Sequence, residues 1–155
     1  MPTRRLVLTA ALATGALGAC TTDATVDPVA TPDPDTALAA QVLMAEAELL
    51  ELLDSLVAGR PRRLEALAAN RAVHEAHLQL LREAASAAPV TSTATPAPFT
   101  GDDRAAYLTL ARAEDRLGQT LRRAAFSAQS GPFARVLAGM AAATAQQSAA
   151  LRTLA

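Results

Sequence analysis

The sequence predicts an all-α fold, a four-helix bundle over residues 36–155. Three observations carry that expectation. Apolar residues recur at alternating spacings of four and three in four separate segments, proline or glycine marks the breaks, and no stretch alternates apolar with polar residues as a strand would. A segment of about 120 residues is long enough to bury one hydrophobic core.

Ahead of the helices, Arg4 and Arg5 are followed by an apolar stretch from Leu6 to Leu17, the layout of an export signal over residues 1–19. The stretch is about a dozen residues long, whereas a membrane-spanning helix needs roughly 20, so the segment is expected to be removed. It ends Leu17-Gly18-Ala19-Cys20, which resembles the lipobox of bacterial lipoproteins. That resemblance implies cleavage before Cys20, lipid on its thiol, and a protein held on the extracytoplasmic face of a membrane. Stable anchoring takes more than one acyl chain, and lipoprotein processing supplies them. Thr3-Arg4-Arg5-Leu6-Val7-Leu8 also resembles the twin-arginine pattern, which implies export of a folded domain; paired arginines in an ordinary signal are the other reading. Cys20 is the sole cysteine, so no disulfide, CxxC motif or haem attachment can form.

Residues 20–35 are rich in Thr, Pro and Asp and are expected to form a disordered tether. Loss of residues 1–19 takes away Arg4 and Arg5 and leaves twelve arginines against fifteen acidic residues, a formal charge of −3. Such a domain is a poor nucleic-acid binder.

Helix 1 is expected from about Thr36 to Ala58, with Gly59 as a left-handed cap at its end. Helix 2 has Pro61 in its first turn and runs to about Ala87. Residues 88–100 form a proline- and threonine-rich loop. Helix 3 begins after Thr100, whose hydroxyl is expected to cap it while Asp102 and Asp103 favour the positive helix end, and continues to about Gln129. Ser130-Gly131-Pro132 is the last break, and helix 4 runs to about Leu154. Short turns make helices 1 and 2 antiparallel, and likewise helices 3 and 4. A 25-residue helix is about 37 Å long and a 13-residue loop stretches to about 43 Å, so the middle loop can cross the bundle and give up-down-down-up order. Up-down-up-down is the alternative.

Each apolar seam is interrupted at its middle. Helix 1 reads Ala39, Leu43, Glu46, Leu50, Leu53, Val57, and helix 3 reads Tyr107, Leu110, Glu114, Leu117, Leu121, Ala124. Helix 2 offers Leu64, Leu67, Arg71, His74, Leu78, Leu81 with His77 beside it, and helix 4 offers Phe133, Leu137, Met140, Thr144, Gln147, Leu151, Leu154. Pairing residue 58 with 61 across the first turn sets Glu46 level with residue 73, beside His74 and His77. Pairing 129 with 132 across the second sets Glu114 level with Gln147. The polar residues therefore converge on one layer, where a carboxylate needs a cation, a metal or hydrogen-bond donors.

With this pattern the chain resembles the ferritin-like family, whose di-metal site takes one glutamate from each of two helices and an ExxH pair from each of the others. Glu46 and Glu114 match the single glutamates and His77 the histidine of the first ExxH. His74 stands where that motif's glutamate belongs, and Thr144 and Gln147 replace both members of the second. The resemblance implies a ferritin-like bundle whose metal centre is reduced or gone.

The layer then has two readings. Glu46, His74, His77 and Glu114 hold one transition metal, with zinc, iron or copper suited to imidazole and carboxylate ligands. Alternatively the core is metal-free, with Arg71 paired to a glutamate and Thr144, Gln147 and the histidines completing the hydrogen bonds. Elsewhere, Arg62-Arg63 and Arg122-Arg123 read as solvated faces able to touch anionic lipid headgroups. Glu48, Glu51, Asp54, Glu65, Glu83 and Asp115 read as outer-face charges pairing locally with arginines. At the level of function the first expectation is a lipid-anchored binding or structural module of the cell envelope without catalysis of its own. A metal-binding protein is the second, and a sensor or chaperone presenting a groove to an envelope protein partner the third. Hydrolase and nucleotide-binding readings have no motif to rest on.

Overall fold

The computed structural model describes residues 33–85 and 97–155. The expected signal peptide, Cys20, most of the tether and most of the 88–100 loop lie outside the described residues. Four helices make up the fold, α1 (Pro34–Val57), α2 (Pro61–Ala85), α3 (Asp103–Ser127) and α4 (Gly131–Leu154), and there is no strand among the described residues.

Three helix starts are set by side-chain oxygens that satisfy otherwise unpaired backbone N–H groups. Asp33 accepts from the amide of Asp35 at 2.9 Å, Asp102 from Ala105 at 2.7 Å, and Ser130 from Phe133 at 3.4 Å. The cap of α3 is thus Asp102 and not Thr100. An N-cap oxygen reaches the amide two or three residues on, and a helix that begins at Asp103 puts that reach at Asp102. α1 is followed after Ala58 by Gly59, whose φ of 66° is the left-handed conformation expected of it.

Contacts at the helix ends fix the topology. Asp35, at the start of α1, accepts from the amides of Gln129 and Ser130 in the α3–α4 turn at 2.8 and 2.7 Å. At the opposite end, Ser55 of α1 accepts from the Phe99 amide at 3.0 Å, and Arg63 of α2 binds Asp103 of α3 at 2.6 Å. Hence α1 and α4 run one way and α2 and α3 the other, which is up-down-down-up order. α1 packs beside α2 and α3, and α4 beside α3 and α2. Ala85 and Asp103 therefore lie at opposite ends of the bundle, and the connection between them joins those ends.

The core is mainly leucine and alanine, with Leu43, Leu53, Leu56, Leu67, Leu81, Leu110, Leu121 and Leu137 fully buried. In α1 and α3 the predicted seams face inward, although Leu50, Val57 and Tyr107 are only partly buried. In α2 the buried line is Arg63, Leu67, Asn70, His74, His77, Leu81, while Leu64 is half exposed. In α4 Ser148 is buried where Gln147 was expected, and Leu154 is half exposed. Arg63, expected on a solvated face, is 1 % exposed. Its guanidinium donates to the Leu56 carbonyl at 2.7 Å and to Asp103 at 2.6 and 2.9 Å, and it lies over the Phe99 ring at 5.8 Å. It thereby ties the end of α1 and the starts of α2 and α3 together. Two of the outer carboxylates pair across helices rather than locally, Asp54 with Arg71 and Asp115 with Arg152. Among the described residues no helix is long and apolar enough to cross a membrane.

Candidate metal centre

The leucines above and below each mid-helix polar residue must pack inward, and the helical repeat carries the polar side chain with them. Glu46 sits between Leu43 and Leu53 on α1, Glu114 between Leu110 and Leu117 on α3, and Asn70, His74 and His77 between Leu67 and Leu81 on α2. Glu46, His74 and Glu114 are all 0 % exposed. Bare carboxylates at such depth would be costly, and the geometry shows what accompanies them.

His74 lies between the two acids. Its Nδ1 is 2.7 Å from Glu46 Oε2 and its Nε2 is 2.8 Å from Glu114 Oε1. His77 Nδ1 is 2.9 Å from the other oxygen of Glu46. The two imidazoles meet edge to face with centroids 5.6 Å apart. Asn70 Nδ2 donates to Glu114 Oε1 at 2.7 Å and to Gln147 Oε1 at 3.2 Å, so the layer extends across to α4. Glu114 Oε2 and Asn70 Oδ1 accept no hydrogen bond among the described residues.

The protonation states follow from these contacts. Burial alone would push the His74 pKa down, but hydrogen bonds to Glu114 and Glu46 and their negative charges raise it to about 9. Burial alone would push the Glu46 pKa up, but hydrogen bonds from His74 and His77 and their charges hold it below its ordinary value. Without a metal the layer is an imidazolium held between two acids, donating through both ring nitrogens.

Three of the four predicted ligands converge. One ligand atom each from Glu46, His74 and His77 lies within 4.8 Å of the others, and this buried group can hold a metal ion. Glu114 stands apart from it because it faces the opposite nitrogen of His74. One metal on the Nδ1 atoms would leave Glu114 accepting from His74 Nε2–H. That is the carboxylate–histidine arrangement that fixes tautomer and ring orientation in metal sites. A di-metal site of the kind implied by the family resemblance does not fit these residues. Thr144 is buried but donates to the Ala141 carbonyl at 2.9 Å, and Gln147 reaches the layer only through Asn70.

Arg71 is not part of the polar core. It is partly exposed and binds Asp54 and Glu75, because the buried face of α2 passes through Asn70 instead. Asn70 was missed in the sequence. Its spacing of four and seven residues before His74 and His77 is the signal that places all three on one helix face. A cleft of about 170 Å³ is lined by Glu114 of the layer together with Asp115, Gly118, Gln119, Arg122 and Ala145.

Comparison of the chain with protein-family models, with curated proteins and with solved structures gives no match.

Proposed function

We propose that the mature protein is a lipid-anchored, extracytoplasmic helical module that binds one divalent transition-metal ion through Glu46, His74 and His77, with Glu114 as the residue that orients His74. The reading is carried by the convergence of those three ligand atoms in a fully buried layer. The charge balance supports it. A divalent ion brings positive charge to a layer in which Glu46 and Glu114 are fully buried, the kind of partner a buried acid requires. Two imidazoles and one carboxylate suit zinc, iron or copper and leave a coordination position free. The module is read as a binding protein.

Loading the purified protein with zinc, iron(II) or copper(II) is expected to give one bound ion per chain by metal analysis. His77→Ala and Glu46→Gln should abolish stoichiometric binding, and Glu114→Gln should weaken it about 10- to 100-fold as the loss of an orienting partner does. No stoichiometric metal, or undiminished affinity in His77→Ala, would leave the metal-free imidazolium layer as the correct reading. The anchor has its own test. In a bacterial host the wild-type chain should incorporate labelled fatty acid and the Cys20→Ser chain should not.

A further inference from the structure

We propose that the outer face formed by the second half of α3 and the first half of α4 is a membrane-docking surface, lying against anionic lipid headgroups with Phe126 inserted among them. The inference rests on the lipid-anchor reading above and adds an orientation to it.

Phe126 is 91 % exposed, the most exposed of the large hydrophobic side chains. It borders a shallow groove of about 550 Å³ whose floor is alanine from α4, including Ala134, Ala138 and Ala142, with Arg122 and Arg135 at its sides. An isolated apolar residue in water needs no explanation, but an aromatic side chain beside an apolar groove with arginines around it is the composition of an interfacial surface.

Charge is distributed along the chain in the same sense. All fifteen acidic residues lie at or before Asp115, and the rest of the chain to Ala155 carries Arg116, Arg122, Arg123, Arg135 and Arg152 with no acidic side chain. Arg152 is paired with Asp115, whose carboxyl also feels the charge of Arg122; Arg122 and Arg135 flank the groove, and Arg123 is exposed on α3. An anionic surface complements this face. A second copy in symmetric contact does not, because the same arginines would oppose one another across a groove lined by no acidic side chain.

The position of the face fits as well. Phe126 stands three residues before Gln129, whose amide is bonded to Asp35 at the start of α1. The chain leaves the bundle towards Cys20 at this end, and the twelve residues 21–32 reach at most about 40 Å. The acids described at this end, Asp33 and Asp35, accept from the backbone amides of Asp35, Gln129 and Ser130.

The chain has no tryptophan, so Phe126→Trp supplies a single reporter in the full chain. Protein recovered from the membrane fraction of a bacterial host is reconstituted on vesicles of phosphatidylcholine alone or mixed with phosphatidylglycerol. The protein should float with both. Emission from position 126 should shift to the blue, and be quenched by brominated lipid, on the anionic vesicles alone. Arg122→Gln and Arg135→Gln should each lower the equilibrium constant for that shifted state roughly fivefold, the loss expected of one arginine near an anionic surface. A Leu154→Trp reporter at the far end of α4 should show neither effect. Unshifted emission from position 126 in a chain that floats would overturn the proposal and leave the anchor standing. A shift that depends on protein concentration without vesicles would also overturn it, making the face a contact between copies. A chain that does not float would sink the anchor reading and the docking surface together.

Discussion

At His74 a single imidazole touches two acids, so its protonation couples the fold to pH. Its pKa is raised from 6.5 to about 9, so the stability it contributes is fully present below pH 6.5 and is lost as pH rises through about 9. The Glu46 pKa is lowered from 4.5, so its contribution is present above pH 4.5 and lost on acidification. Metal-free protein, held in chelator, is therefore expected to melt at its highest temperature between pH 4.5 and 6.5 and at falling temperatures from there to pH 9. The alkaline fall is on the order of 3 kcal/mol at most, and His74→Gln should flatten it. Thermal melts across that range check both points; a flat profile for the wild type would show that the imidazole is not shared as an imidazolium. Metal affinity should run the opposite way and rise with pH, because the ligand protons must leave.

Among the elements, α1 and α3 were legible in the sequence and α2 was not fully so. In α1 and α3 one carboxylate interrupts a row of leucines, and the row alone fixes which way the carboxylate points. In α2 four of the six most inward positions are polar, Arg63, Asn70, His74 and His77, while Leu64 and Leu80 point outward at 48 % and 46 % exposure. Hydropathy then favours a line rotated towards Leu64 and Arg71, which hides Arg63 and Asn70. The site was legible to the extent that Glu46, His74, His77 and Glu114 share a height. Which nitrogen of His74 faces which acid depends on ring orientation, and helical spacing carries no record of that. The capping of α3 was misread for a simpler reason, since three candidate oxygens stand within four residues. Asp102→Ala is expected to cost about 1 kcal/mol in urea melts, as loss of an N-cap does. Thr100→Ala should stay within about 0.5 kcal/mol.

For the whole molecule the decisive feature is the order up-down-down-up, which puts the end of α2 and the start of α3 at opposite ends. The connection 86–102 must cover a helix length of about 37 Å, and with residues 88–96 deleted the eight left reach only about 28 Å. That deletion should abolish the monomeric fold, giving either unfolded chain or a dimer that exchanges helix pairs. Size exclusion with circular dichroism distinguishes these, and a stable monomer would contradict the topology. On the proposed lipid anchor, the bond pair from Asp35 to the Gln129 and Ser130 amides has a mechanical consequence. Tension arriving at Asp33 would meet a clamp at the second residue of α1, which passes the load into the α3–α4 hairpin, so that a tug hauls the whole barrel of helices along instead of peeling the first one away.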